Sequence, residues 1–284
     1  IMLGYEKLLS QKKSDLCLVV GDVTSTMACA ITAKKMGVSI AHVEAGIRSG
    51  DLTMPEEINR LVTDSITDWF FTTSEFANEN LRKEGAEKSA LFFVGNTMID
   101  TLLSNEENFT QPAFWNEFNL ERNNFLVLTL HRPVNVDGEN TLLDFLINLG
   151  KLSQNIPVVF PVHPRTKLTL SRIKNFPDNI KLVEPQPYFE FNYLVGNSKA
   201  VITDSGGVTE EATILGIPCL TVRETTERPE TVTLGTNELI GTDLNNLSQA
   251  LKTLFAGKWK IGGKPPLWDG KSARRIVTHL EKLL

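Results

Sequence analysis

The chain runs to 284 residues, 41% of them hydrophobic and 22% charged, with a formal net charge of -5. That composition fits a soluble globular protein long enough for two domains. The negative balance excludes a general nucleic-acid binder and leaves helix ends and single arginines to form any anion site. With no apolar run near the roughly 20 residues that cross a bilayer and no secretory signal read at the start, no membrane partner is expected.

Residues 1–11 (IMLGYEKLLSQ) read as the tail of an amphipathic helix, not a fold's first element, which predicts further strands upstream. Strand and helix then alternate: LCLVV at 16–20, a helix over 24–36, VSIAHVE at 38–44, a helix over 55–65, WFFTT at 69–73, a helix over 74–84 and LFFVG at 91–95. A less regular polar stretch, 104–124, reads as a connection. The alternation resumes with FLVLTL, a helix near 142–153, IPVVFPV, IKLVEP, a helix around 188–197 and AVITD. Strands separated by helices predict βαβ units with parallel sheets, so the expected class is α/β with two Rossmann-like halves. Cys17, Cys29 and Cys219 lie in apolar runs without CxxC spacing, which predicts buried, reduced thiols and a cytoplasmic compartment.

The stretch 199–230 carries the strongest local signal. Its apolar run Ala200-Val201-Ile202 breaks at Thr203-Asp204-Ser205-Gly206-Gly207 before helical spacing resumes at Val208. A helix opening on Ser205, Gly206 and Gly207 presents unpaired amides and attracts phosphate, although a lone glycine-rich turn reads equally as a well-capped helix start. Glu210 and Glu211 follow, either as acceptors for the vicinal hydroxyls of a ribose or as first-turn carboxylates favoured by the helix dipole. The next strand, 218–222, leads into a polar loop, 223–230, at the end where open α/β sheets bind ligands. VVGD at 19–22 echoes VITD at 201–204, which places Asp22 and Asp204 alike at strand ends facing a cleft.

Four further places can carry chemistry. Asp22 follows a strand, where a helix N-cap is the plain alternative. Glu44 stands in His42-Val43-Glu44-Ala45-Gly46 at another strand end. Pro55-Glu56-Glu57-Ile58-Asn59-Arg60 puts proline and acids at a helix start, which dipole and propensity alone explain. His131-Arg132-Pro133 follows LVLTL, with His163 in an analogous spot. Carboxylates and a histidine around one phosphate site suit acid and base work on a sugar carbon.

Taken jointly, HVEAG with R-S-G-D, PEE-x-NR, TLHRP, PVHP, DSGG-x-x-EEA and TTERPE closely resemble the non-hydrolysing UDP-N-acetylglucosamine 2-epimerases, over nearly the whole chain and in order. The resemblance implies a glycosyltransferase-B-like fold: two Rossmann-like domains, a deep inter-domain cleft for the nucleotide and a C-terminal helix crossing back. The expected domains are 1–108, with its first strands missing, 109–268 for UDP, and the helix 269–284. The implied chemistry removes the proton at sugar carbon 2 while UDP leaves carbon 1, then reverses on the other face. It needs no nicotinamide, so neither cofactor nor metal is expected. The implied partner is the UDP-sugar, the implied assembly a homodimer and the implied role surface polysaccharide supply.

By motif, Asp22, Glu44 and Glu56 match the family's catalytic carboxylates and His131 its active-site histidine. Ser205, Gly206 and Gly207 match its diphosphate turn, Glu211 in preference to Glu210 its ribose acid, and Arg228 the arginine facing diphosphate and sugar. Gln186 and Phe191 fall where the uracil pocket is formed, mainly by backbone. Arg132 and His163 fall near the second-nucleotide site through which some bacterial members are activated. The family's opening strand and its G-T-R-P-E loop have no counterpart here, which is expected to reflect either truncation or upstream residues beyond this sequence. A hydrolysing epimerase and an inactive UDP-sugar-binding module are the competing readings. A dehydrogenase is disfavoured, since no G-x-G-x-x-G follows a strand.

Overall fold

A computed structural model of the chain describes residues 1–173 and 177–284, the side chain of Arg165 excepted. The chain divides into two units, Ile1–Leu103 with Pro266–Leu284, and Ser104–Pro265.

In the first unit four strands, β1 (Leu16–Val20), β2 (Ser39–Ala45), β3 (Trp69–Thr72) and β4 (Leu91–Phe93), pair in parallel in chain order. Helices Thr24–Lys35, Pro55–Ser65 and Glu75–Lys83 make the crossovers, as parallel pairing requires. Alternation along β1 sends Cys17 and Val19 to one face, where they meet Leu9, Ala30, Ala33 and Ile40. On the opposite face Ala41, Val43, Phe71 and Val94 pack against Ile276 of helix Ser272–Leu283. That one side chain, 5% exposed, contributes about 1.5–3 kcal/mol by burial. The C-terminal segment is also tied by polar contacts. The Trp268 indole donates to the Thr73 carbonyl at 2.9 Å, and the Ser272 and Ala273 amides donate to the Asp100 carboxylate at 3.0 and 2.7 Å.

In the second unit six parallel strands, β5 (Leu126–Thr129), β6 (Val158–Pro161), β7 (Ile180–Val183), β8 (Ala200–Thr203), β9 (Cys219–Thr221) and β10 (Asn237–Leu239), lie in the order β10-β9-β8-β5-β6-β7. The winding reverses between the central neighbours β5 and β8. Strand ends flanking such a switch point open a crevice for ligands, and here those ends lead into His131 and Ser205.

Several helices are absent from the sequence reading. Thr97–Ser104 is opened by the Asn96 side chain, which accepts from the Met98 amide at 2.9 Å. Leu244–Phe255 is capped by Asp243, which accepts from the Asn245 amide at 2.8 Å, and it buries Leu247, Leu251 and Leu254. Pro164–Leu170 was not expected, and the helix expected from 142 starts at Glu139. Cys17 and Cys219 are buried free thiols, but Cys29 is half-buried. No described helix is long and apolar enough to cross a membrane.

Candidate functional site

In the first unit the chain leaves β1 through Gly21 at φ +67 and reaches Asp22. The plain N-cap reading of Asp22 does not hold: helix Thr24–Lys35 is capped by Val23 without a side-chain bond. Asp22 instead faces helix Pro55–Ser65. Arg60 donates to its Oδ2 from Nε at 2.9 Å and Nη2 at 2.6 Å, and Asn59 donates to its carbonyl at 2.8 Å. The same Arg60 reaches Glu57 at 2.7 Å. Glu57, 2% exposed, accepts the Ser49 and Gly50 amides at 2.9 Å each. Burial would push that carboxyl up, but the two amides and Arg60 outweigh it and hold it below the usual carboxylate range. Thus Glu57, Asn59 and Arg60 of the PEE-x-NR motif are a clamp, while Glu56 lies on the exposed face of the helix. Dipole and propensity, offered for this acidic helix start, do not account for the clamp.

Glu44 sits at an irregularity of β2. Pairing with β3 shifts register between Val43 and Ala45, so Glu44 is the extra residue of a bulge, and its φ is +67. A non-glycine residue in that region stores strain, and bulges re-aim side chains beside working sites. Two residues on, Gly46 has φ +78, and a Cβ there would lie 2.5 Å from the Ala77 carbonyl oxygen. Beneath the bulge a buried carboxylate organises the loop: Asp64 accepts His42 Nδ1 at 2.6 Å, the Gly46 amide at 3.0 Å and Arg48 at 2.7 Å. Burial opposes both charges. The contact with Asp64 nevertheless raises His42, and those with His42 and Arg48 keep Asp64 low.

In the second unit Ser205 is the N-cap residue of helix Gly206–Leu215, although its side chain makes no capping bond. Its amide donates to Thr203 Oγ1 at 3.0 Å, and that hydroxyl lies 2.6 Å from Thr129 Oγ1 on the neighbouring strand. A Cβ added at Gly206 would meet no protein atom within 4 Å, so packing does not demand glycine there. Glu210 and Glu211 fall in the second turn, not the first, and both are buried. Glu210 binds Arg228 Nε. Burial pushes Glu211 up, and hydrogen bonds with Tyr188 and Asn192 only partly offset it.

Asp204 does not face out of the strand end; it is fully buried. Its Oδ1 receives His131 Nδ1 at 2.7 Å, and its Oδ2 accepts the amides of His131 and Arg132 at 3.1 and 2.9 Å and Asn135 Nδ2 at 2.9 Å. Around this turn the His163 ring lies 6.3 Å from that of His131. The Arg132 guanidinium reaches Glu227 at 3.5 Å, and Glu227 is already gripped by Arg223 at 2.6 and 2.8 Å. Gln186 donates to the Glu184 carbonyl at 2.7 Å just ahead of helix Tyr188–Asn197, and Phe191 packs on the core below β8. His131, Arg132 and Ser205 to Gly207 follow the two strands that flank the β5/β8 switch, with Asp204 between them, whereas Gln186 follows the edge strand β7. Arg223 and Glu227 are marked in the sequence only as members of the polar loop 223–230, because the helical i,i+4 rule does not reach a loop. Among the described residues no group of three or more His, Cys, Asp or Glu side chains is placed to hold a metal ion.

A family profile described as UDP-N-acetylglucosamine 2-epimerase matches residues 1–281. The UDP-N-acetylglucosamine 2-epimerase of Methanocaldococcus jannaschii is 41% identical over 291 residues, covering 99% of this chain and 79% of its own. A crystal structure of the enzyme from that organism, in complex with UDP-GlcNAc and UDP, superposes with a TM-score of 0.86 at 39% identity, covering 99% and 79% of the two chains. A Pseudomonas aeruginosa relative, 35% identical and covering 100% of this chain and 79% of its own, is a UDP-2,3-diacetamido-2,3-dideoxy-D-glucuronate 2-epimerase.

Proposed function

This chain belongs to the UDP-N-acetylglucosamine 2-epimerase family of isomerases, and we propose that it interconverts UDP-N-acetylglucosamine and UDP-N-acetylmannosamine without net hydrolysis. The observation that carries the nucleotide half of this reading is the opening of helix Gly206–Leu215. Its amides head the helix at the sheet's switch point, and the space where a Gly206 side chain would stand is empty of protein. A diphosphate suits the charge of that helix end, and glycine lets its oxygens approach the backbone. Arg228, planar and fork-shaped, suits its oxygens, and Glu211 suits the ribose hydroxyls. Gln186 and Phe191 mark the base end.

The sugar half falls to Asp22, Glu44 and Glu56, with His131. One base takes the carbon 2 proton as the carbon 1 to oxygen bond breaks, its electron pair leaving with UDP, and a double bond forms between carbons 1 and 2. An acid then protonates carbon 2 from the opposite face while a UDP oxygen returns to carbon 1. Developing charge on the leaving diphosphate is what the helix end and Arg228 stabilise, and they do so more in the transition state than before it. What joins the two sets of residues in one reaction is the family relationship.

Proton NMR of UDP-N-acetylglucosamine with the protein in heavy water tests this. The expected result is deuterium at carbon 2 together with the manno epimer, still bonded to UDP. Free N-acetylmannosamine would move the reading to the hydrolysing reaction, and binding without exchange would leave a UDP-sugar module. The P. aeruginosa relative supports a second substrate reading, the diacetamido-glucuronate sugar, and the same assay with that nucleotide decides between them. The proposal further takes the protein to be a cytoplasmic homodimer, which light scattering of the purified protein tests as to assembly.

A further inference from the structure

We propose that Asp204 is the positioning residue of His131: it fixes the ring as the Nδ1–H tautomer, so that Nε2 is the nitrogen left to exchange a proton. The inference deepens the epimerase reading and rests on it only for what His131 acts upon. Asp204 follows the strand that leads into the proposed diphosphate turn, and its carboxylate is bonded to His131, Arg132 and Asn135.

The geometry leaves little freedom. Three donors converge on Oδ2, namely the His131 and Arg132 amides and Asn135 Nδ2. Oδ1 is left for His131 Nδ1 at 2.7 Å, with the His131 amide also within 3.2 Å. An ionised carboxylate can only accept. Burial raises the Asp204 pKa, but the bonds from His131 and Asn135 outweigh it and keep the group below its ordinary value. Nδ1 must therefore carry the hydrogen. The Asp204 side chain is wholly buried while that of His131 is 47% exposed, so the committed nitrogen faces the core and the ring remains accessible. Among the described residues the His163 ring stands 6.3 Å from that of His131, and the neighbouring Arg132 is paired with Glu227 beside Arg223.

Asp204→Asn tests this because the same donors dictate how the amide must sit. Its oxygen goes to the three donors at the Oδ2 position, which turns its NH2 toward Nδ1 and forces that nitrogen to accept. The ring then becomes the Nε2–H tautomer with the backbone unchanged. In protein labelled with 15N-histidine, and with the His131 signals identified by their loss in His131→Gln, long-range 1H–15N spectra report the tautomer without substrate. The expected result is Nδ1–H in the parent and Nε2–H in Asp204→Asn. In the variant, exchange at sugar carbon 2 falls at least about a hundredfold in kcat with KM unchanged. A parent ring in the Nε2–H form overturns the proposal, even if the variant does not fold. So does a variant that keeps its tautomer, or one that changes tautomer and exchanges at the parental rate. A parent that shows Nδ1–H but never exchanges the carbon 2 proton sinks the epimerase reading and leaves the Asp204–His131 geometry standing.

Discussion

Arg60 holds Asp22 by one oxygen: Nε at 2.9 Å and Nη2 at 2.6 Å both close on Oδ2, across 38 positions of sequence. The guanidinium's third engaged nitrogen goes to the buried Glu57. Arg60 thus orients a proposed catalytic carboxylate and neutralises a buried structural one. Lysine carries the charge but not the fork. Arg60→Lys is expected to keep Glu57 paired and the fold intact, yet to slow carbon 2 exchange at least about tenfold by releasing Asp22. Arg60→Ala should in addition lower stability by about 3 kcal/mol, since Glu57 loses its cation. Thermal unfolding beside the exchange assay separates the two effects; equal exchange rates for parent and Arg60→Lys would remove Asp22's orientation from the mechanism.

The His42–Asp64 pair predicts a pH dependence of stability. Asp64 has a depressed folded pKa, so its contribution is present above its unfolded value of about 3.9 and is lost as pH falls through the folded value. His42 has a raised one, so its contribution is complete below its unfolded value of about 6.5 and is lost as pH rises through the folded value. The pair therefore contributes fully between about pH 4 and 6.5. Urea unfolding of the parent and of His42→Gln should show a gap that is widest in this window and narrows on the alkaline side. A gap independent of pH would mean that folding leaves the His42 pKa unshifted.

Much of this fold was legible because parallel strands covered on both faces read as unbroken apolar runs. LCLVV is β1 residue for residue, although its Leu18 and Val20 stand exposed, and the helices at 55–65 and 188–197 have the bounds their spacing predicts. The short helices escaped because four to eight residues give too few turns for a period to show, although Leu244–Phe255 carried both a cap and a stripe and could have been read. The candidate site reads in the sequence as a set of strand ends and not as a set of contacts. Nothing local distinguishes Glu56, exposed, from Glu57, buried, because the difference lies in the amides of Ser49 and Gly50 that fold onto one of them. Asp204 likewise reads as loop, since the donors that bury it come from residues 69 to 73 positions earlier in the chain.

Gly206 offers a test of the proposed diphosphate site that spares the fold. A Cβ there meets nothing within 4 Å, and alanine in a helix is favoured over glycine by up to about 1 kcal/mol. Gly206→Ala should therefore melt at or slightly above the parental temperature while UDP affinity, by calorimetry, falls about tenfold or more, a loss of about 1.4 kcal/mol. Retained affinity would place the diphosphate elsewhere.

Arg228 is not a bare clamp, because it is bound to the buried Glu210. Arg228→Ala should weaken UDP-sugar binding by about 1.5–3 kcal/mol, the range for charged hydrogen bonds. It should also destabilise the fold by about 3–5 kcal/mol, since Glu210 loses this cation. Adding Glu210→Gln should restore most of the stability and none of the affinity. Recovery of both would show that Arg228 serves only the fold.

Glu44 brings backbone strain and a proposed catalytic role together at one position. Its φ of +67 on a bulged strand costs on the order of 1 kcal/mol or more for a residue with a Cβ, and glycine would adopt the same backbone freely. Glu44→Gly is accordingly expected to raise stability by about 1 kcal/mol while abolishing carbon 2 exchange. Glu44→Gln keeps the Cβ and the strain but lacks the carboxylate, so it should abolish exchange with stability near parental and UDP affinity within a factor of a few. The two variants separate geometry from charge: a Glu44→Gln protein that still exchanges the proton would remove Glu44 from the acid and base set, and a Glu44→Gly protein that melts lower would mean the bulge is held by the side chain and not against it.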